Sequence, residues 1–401
     1  MYKLLFSLFL VAGSLASCTG GSGSPDADAA LAYCRRQAEK ALPALHRADR
    51  LPYTIAAGDT GRTWSCSAIE GWTSGFWPGI LWYLYEDTAD TLLRKQAERF
   101  SAALFPLADR PAGNHDLGFM LYCSLGNGYR LTGSPVYRDV LLRAADSLAT
   151  LYNPTVGTIC SWPYMRRSKQ WPHNTIIDNM MNLELLFWAA KHGGSPRLYE
   201  IASRHARVTA RNQFRPDHTV CHVVVYDTVT GRPLKRLTHQ GYSDASVWAR
   251  GQAWAVYGFT MCYRETGDSL FLQTACRAAD AYLARLPADC VPYWDFDAPD
   301  IPHAPRDASA AAITASALLE LCGFVSDGGQ AARYRDAALR MLVSLSGSDY
   351  RSGDANPSFL LHSTGHYPAG REIDASLIYA DYYYLEALMR WKKTGRPASS
   401  L

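Results

Sequence analysis

At 401 residues, with 48% of them hydrophobic, the chain can bury a large core, and its length fits one big domain or two ordinary ones. Forty basic residues stand against 37 acidic ones for a net charge of +3, and no segment carries a basic block, which excludes a nucleic-acid footprint. From the N-terminus, residues 1–17 read as an export signal: Lys3 supplies the positive start, Leu4 to Ala12 the apolar stretch, and small residues follow. The stretch is too short to span a bilayer as a mature helix. Leu15-Ala16-Ser17-Cys18 matches a bacterial lipobox, in which cleavage precedes the cysteine and Cys18 is acylated; an ordinary signal peptide is the alternative. Residues 18–26, rich in Gly and Ser, then form a flexible tether. The reading is an exported, lipid-anchored bacterial protein of the periplasm or outer membrane. It touches the membrane only through its anchor and carries one folded body over 27–395.

Within that body an aromatic-rich amphipathic stretch repeatedly ends at a Gly turn and is followed by a stretch rich in Ala and Leu. Four copies align at Arg130-Leu-Thr-Gly-Ser-Pro-Val-Tyr, Lys191-His-Gly-Gly-Ser-Pro-Arg-Leu-Tyr, Arg264-Glu-Thr-Gly-Asp-Ser-Leu-Phe and Val325-Ser-Asp-Gly-Gly-Gln-Ala-Ala-Arg-Tyr. In each, Gly133, Gly194, Gly267 or Gly329 is expected to close one helix in the left-handed conformation, while a small polar residue or Pro opens the next. Glu86-Asp-Thr-Ala-Asp-Thr makes a fifth turn without Gly, and a last helix near 373–391 can pair with the first near 28–46. Six hairpins result, and the fold class is all-α: a six-hairpin α/α barrel, with at most a short β-hairpin near Val220 to Tyr226 continuing after Thr230-Gly231. Of the ten cysteines, nine follow Cys18 without C-x-x-C spacing; most read as small buried hydrophobes.

Alternation of inner and outer helices puts every inner N-terminus on one rim, and these starts are expected near Gly75, Asp116, Thr175, Asp244, Asp307 and Ile373. The loops entering them are long and rich in Trp, His, Asp and Arg, as working loops tend to be. Trp64, Trp72, Phe76 and Trp77 either wall a sugar pocket or belong to the core. Two carboxylates sit at inner-helix starts in apolar surroundings, Asp116 in Asn114-His-Asp-Leu-Gly-Phe-Met and Asp178 in Thr175-Ile-Ile-Asp-Asn-Met-Met-Asn. Paired acids are the working parts of glycosidases, although both also fit helix caps. In His239-Gln-Gly-Tyr-Ser-Asp-Ala-Ser-Val-Trp-Ala-Arg-Gly-Gln-Ala-Trp254, Ser243 is the expected helix cap. Trp248, Arg250 and Trp254 follow as a receptor for an acidic sugar, or as core aromatics around an arginine that neutralises Asp244 or another buried acid. His222 is a ligand contact or a structural histidine, and the polar loop from His362 to Gly370 suits hydroxyl or sulfate groups or is a plain turn. No H-E-x-x-H, EF-hand or P-loop spacing occurs, so no metal or other cofactor is supported.

The segments Gly71-Trp-Thr-Ser-Gly-Phe-Trp-Pro-Gly, Asn114-His-Asp-Leu-Gly-Phe, Ile177-Asp-Asn-Met-Met-Asn and Gln240-Gly-Tyr-Ser-Asp through Trp248-Ala-Arg-Gly-Gln-Ala-Trp together resemble the unsaturated glucuronyl hydrolases, glycoside hydrolase family 88. The resemblance runs from about Trp64 to the last helix and implies the same six-hairpin barrel. It implies Asp178 as general acid and base, Asp116 beside His115 as a second essential carboxylate holding sugar hydroxyls, and His222, Gln240, Arg250 and Trp72 as substrate contacts, with Ser363 and His366 in a loop that varies with substrate sulfation. The implied substrate is an oligosaccharide ending in a 4,5-unsaturated uronic acid, of glycosaminoglycan type. To hold a proton near neutral pH Asp178 needs a raised pKa, which burial and the charge of Asp116 promote and a helix N-terminus opposes. Other readings stay open: an inverting hydrolase of saturated glycosides, an unsaturated rhamnogalacturonyl-type hydrolase, or a non-catalytic glycan-binding lipoprotein.

Overall fold

The computed structural model describes residues 24–59 and 62–394; the expected signal segment and Cys18 lie outside the described residues. In chain order it contains α1 (Ala27–Ala41), β1 (Arg50–Ile55), β2 (Ser65–Ala68), α2 (Phe76–Thr88) and α3 (Thr91–Ala102). A π-helix, Gly118–Gly126, then runs into α4 (Asn127–Thr132). There follow α5 (Pro135–Ala149), β3 (Tyr152–Asn153), β4 (Thr158–Ile159), α6 (Met165–Ser168), β5 (His173–Ile176), α7 (Asn179–Lys191) and α8 (Pro196–Asn212). The chain ends with β6 (Val223–Tyr226), β7 (Pro233–Leu237), α9 (Ala249–Thr266), α10 (Ser269–Leu283), α11 (Ala308–Leu321), α12 (Gly328–Leu345), β8 (Ser376–Leu377) and α13 (Ile378–Thr394).

Burial sorts the helices into two rings. On α8 the buried positions are Leu198, Ile201, Ala202, His205, Ala206, Val208, Thr209 and Asn212, a single stripe, as a helix with one wet face requires. On α9 every residue from Ala249 to Cys262 is buried, and on α11 all but Glu320, so these helices are covered on every side. The inner ring is α2, the π-helix with α4, α7, α9, α11 and α13; each packs on the next, and α13 returns to α2. α1, α3, α5, α8, α10 and α12 lie outside it. This is the six-hairpin α/α barrel, closed as expected by α1 against α13.

Several local expectations are corrected. Gly133 and Gly267 close α4 and α9 in the left-handed conformation as expected, but beside α7 that conformation falls on Gly193 rather than Gly194. Gly329 lies in the first turn of α12, whose cap is Asp327. The turn without Gly puts Ala89 in the left-handed conformation. Inner helices entered by a strand or turn start later than expected. Thr175 lies in β5, so α7 begins at Asn179, and Ile373 precedes β8 and α13. Ser243 does not cap α9, because its hydroxyl closes a tight turn with Ser246, and Trp248 occupies the cap position.

Strand content also exceeds the single hairpin expected. β6 and β7 form that hairpin, but β5 adds a third strand, and β2-β1-β8 and β3-β4 make two more small antiparallel sheets. Pro52 masks β1 in the sequence because proline cannot donate to a ladder, and the register shifts between Pro52 and Thr54. All nine described cysteines are free thiols.

Inner helices buried on all sides need small residues where backbones meet. A Cβ at Gly258 of α9 would lie 2.5 Å from the Met180 Cβ of α7. Gly258→Ala is therefore expected to wedge α7 from α9 and lower stability by about 1–3 kcal/mol, measured by urea unfolding; an unchanged midpoint would show that the contact yields freely.

Candidate active site

The rim formed by the inner N-termini holds the residues singled out above. Asp116 enters the π-helix from a turn in which the Asn114 side-chain oxygen accepts its N–H at 3.0 Å, and the His115 N–H is held by the Ser161 carbonyl at 3.1 Å. Asp178 takes the cap position of α7 without capping it, so its carboxylate is left for other partners. Both aspartates line one cavity of about 90 Å³, with Trp72, His115, Phe119, Trp162, Ile176, Gln240 and Arg250.

Each carboxylate faces a buried imidazole: His115 Nε2 lies 3.4 Å from Asp116 Oδ1, and His222 Nε2 lies 3.5 Å from Asp178 Oδ2. The His222 tautomer follows from its other nitrogen, because Nδ1 accepts the backbone N–H groups of His239 and Gln240, both at 3.2 Å. A ring nitrogen that accepts carries no proton, so the ring proton sits on Nε2 and points at Asp178. The two aspartates are driven apart electrostatically. Burial raises the pKa of Asp116, and the charge of Asp178 adds to this against an opposing His115. Burial pushes Asp178 upward too, but His222, then His115 and Arg250, outweigh it and leave its pKa below the usual carboxylate value. The expected rise therefore appears on Asp116 and not on Asp178.

Arg250 is buried, with its guanidinium over the Trp248 ring at 4.7 Å and the Tyr379 ring at 5.3 Å. One terminal nitrogen donates to Asp307 Oδ2 at 2.6 Å and to the Thr364 carbonyl, and the other donates to the Gly365 carbonyl. The arginine thus neutralises Asp307, not Asp244, whose carboxylate instead accepts the Thr238 N–H. It still faces the cavity and acts on Asp178 through its charge.

Residues 53–393 match the family described as Glycosyl Hydrolase Family 88. The chain belongs to that family. An unsaturated glucuronyl hydrolase of Formosa agariphila is 44% identical over 324 residues, 80% of this chain and 79% of that one. A solved unsaturated glucuronyl hydrolase specific for heparin is 40% identical with a TM-score of 0.84, covering 92% of this chain and 96% of the other. An unsaturated glucuronyl hydrolase mutant from Streptococcus agalactiae, solved in complex with dGlcA-GalNAc6S, is 30% identical with a TM-score of 0.78 and 92% of both chains covered.

In this family 88 chain, Trp72, His115, Asp116, Asp178, Gln240 and Arg250 come together around the cavity, and His222 stands directly behind Asp178. Besides His222, three expected contacts do not line it. Trp254 is fully buried against Phe119 and Tyr383, with ring centroids 5.3 and 5.4 Å away, and is barrel core. Trp248 is wedged between His222, at 4.4 Å, and Arg250, and supports both from behind. Ser363 is buried in a two-way backbone pairing with Ala375, just ahead of the Thr364 and Gly365 carbonyls that accept from Arg250. Phe76 and Trp77 are core as well.

Trp162, Phe119, Asn182 and Asp307 went unrecognised as site residues. Trp162 stands edge-on to His115, His222 and His239 from the loop after β4, and its only sequence signal is an aromatic residue before Pro163. Removing Asp307 would strand Arg250 as a buried charge with two carbonyl partners. Asp307→Ala is expected to cost about 3–5 kcal/mol in urea unfolding, and a loss under about 1 kcal/mol would show that the pair does not hold the rim.

Proposed function

We propose that the protein removes a terminal 4,5-unsaturated uronic acid from lyase-generated oligosaccharides of glycosaminoglycan type, with Asp178 as general acid and base. The observation that carries this reading is the pair of buried carboxylates meeting in one cavity, each faced by an imidazole nitrogen. The heparin-specific relative and the disaccharide complex support the substrate class.

A C4=C5 bond conjugated to the ring oxygen is a vinyl ether. Protonation of C4 by Asp178 moves the π electrons into the new C–H bond and leaves an oxocarbenium-like centre at C5. Water then adds at C5, and Asp178, now a carboxylate, takes the proton that the water releases. The product is a hemiketal, which opens and expels the remaining sugar, so the anomeric carbon is never attacked and the protein ends in its starting protonation state. Because His222 keeps Asp178 ionised in the free protein, the acid must gain its proton with the substrate. The uronate brings a further negative charge into a buried cavity, which raises the pKa of Asp178 and Asp116 together. Asp116 holds ring hydroxyls, Trp72 offers an apolar face, and Gln240 and the N–H groups of Arg250 not spent on Asp307, Thr364 and Gly365 bind the acidic edge. For the chain ahead of the fold, the Leu15-Ala16-Ser17-Cys18 motif supports export and acylation at Cys18, anchoring the enzyme in the periplasm or outer membrane.

Hydrolysis destroys the conjugated chromophore, so the protein is expected to erase the ultraviolet absorbance of unsaturated disaccharides. Asp178→Asn should slow this about 10³-fold with the fold intact by circular dichroism; turnover at the normal rate would refute the role of Asp178. The pH dependence gives a second check. The reacting form carries a proton on Asp178, so activity falls as pH rises through the pKa of the pair in the complex. His222→Phe removes the donor that draws Asp178 down, the acid keeps its proton to higher pH, and the alkaline limb of kcat should move upward. A limb that stays put or moves down would count against this placement of the proton.

A further inference from the structure

His115 and His222 face the two carboxylates alike, yet their tautomers are set by different means. For His222 the Nδ1 partners are backbone N–H groups; for His115 the partner is a side chain, with Asn182 Nδ2 at 3.2 Å from His115 Nδ1. The orientation of that amide is fixed. Asn182 Oδ1 accepts the Phe119 N–H at 2.9 Å, one of the donors left over in the first turn of the π-helix, so the NH2 group must face His115. Asn182 is fully buried one turn after Asp178 on α7, and a Cβ at Gly118 would come within 2.6 Å of its Cα and 2.7 Å of its Oδ1. Glycine at 118 is what lets the π-helix approach closely enough to share this amide.

We propose that Asn182 is a positioning residue: its amide holds His115 neutral with the ring proton on Nε2, aimed at Asp116, and ties the segment bearing Asp116 to the helix bearing Asp178. A proton on Nδ1, whether in the other tautomer or in the imidazolium, would set N–H against N–H in a buried space with no acceptor between them. A neutral His115, its Nε2 3.4 Å from Asp116 Oδ1, brings no full counter-charge to that carboxylate, so burial keeps the pKa of Asp116 raised in the free protein. The other titratable groups that act on this corner are His205 of α8 on His115, and Tyr164, ahead of α6, on Asp116. His222 and Arg250 act on Asp178. The inference rests on the reading of Asp116 and Asp178 as the working pair and adds to it the device that orients one half.

The test begins without substrate. In the free full-length protein labelled with 15N-histidine, the resonances lost in His115→Gln are expected to report a bare Nδ1 and a protonated Nε2 across neutral pH. A proton on Nδ1 would overturn the proposal. Asn182→Asp keeps the acceptor for the Phe119 N–H but withdraws the donor from His115. The ring is expected to gain a second proton, kcat to fall about 10²-fold with KM within about 3-fold, and the alkaline limb to move to lower pH, because a positive His115 lowers the pKa of Asp178 as well as that of Asp116. A folded Asn182→Asp protein with unchanged kcat, pH profile and His115 resonances would also overturn it. Should that variant not fold, the wild-type spectrum decides alone. A wild-type protein with the expected tautomer but no turnover of unsaturated uronides would sink the functional reading and leave the tautomer assignment standing.

Discussion

The buried pair of Arg250 and Asp307 is the interaction on which the working rim depends. Arg250 opens α9, Asp307 caps α11 through the Ser309 N–H, and the Thr364 and Gly365 carbonyls come from the loop that leads toward α13, so one guanidinium joins three of the six inner-helix entries. A buried ion pair is costly to desolvate, and it is tolerated where its remaining donors are satisfied. Here two carbonyl oxygens and two aromatic faces serve that purpose. The guanidinium so held borders the cavity already oriented.

The same principle separates the aspartates. Both lie at helix starts, where the partial positive charge of the N-terminus favours the ionised form, and both are buried, which favours the neutral one. The difference comes from the imidazoles behind them. His222 is clamped by two backbone N–H groups and backed by Trp248, and it drives Asp178 toward the carboxylate. Asp116 keeps the opposite tendency. In the free protein one cavity thus holds a carboxylate drawn toward ionisation and a second held back from it.

How much of this was legible in the sequence depends on whether a residue's partner lies near it in the chain. The Gly133 and Gly267 turns and the amphipathic outer helices disclose the hairpins because both signals are local. Asp116 and Asp178 can be picked out as acids at the starts of apolar inner helices, but a plain cap such as Asp307 carries the same local signal, so the sequence alone does not separate the two roles. The inner helices defeat the same reasoning: buried on every side, they carry no stripe to say which face meets the cavity, so Trp254 reads like a binding residue although it packs on Phe119 and Tyr383. Arg250 could be assigned a buried acid but not Asp307, and Asn182 could not be matched to His115, since both pairs close only when the ring closes.

Helix polarity explains why the chemistry occupies this rim and not the other. The opposite mouth of the barrel gathers the C-terminal ends of the inner helices, where partial negative charge favours cations, and a chain of ion pairs is built there. Arg264, in the last turn of α9, pairs with Glu184, Glu265 and Glu320, and Arg390 of α13 pairs with Glu320 and Glu386. Burial pushes Glu184 up to about 7 even beside Arg264. Phe119, Trp254 and Tyr383 close an aromatic layer between the two ends. The N-termini, Arg250 and the two imidazoles thus converge on one mouth and the paired carboxylates and arginines on the other, and the direction in which the inner helices run is what decides it.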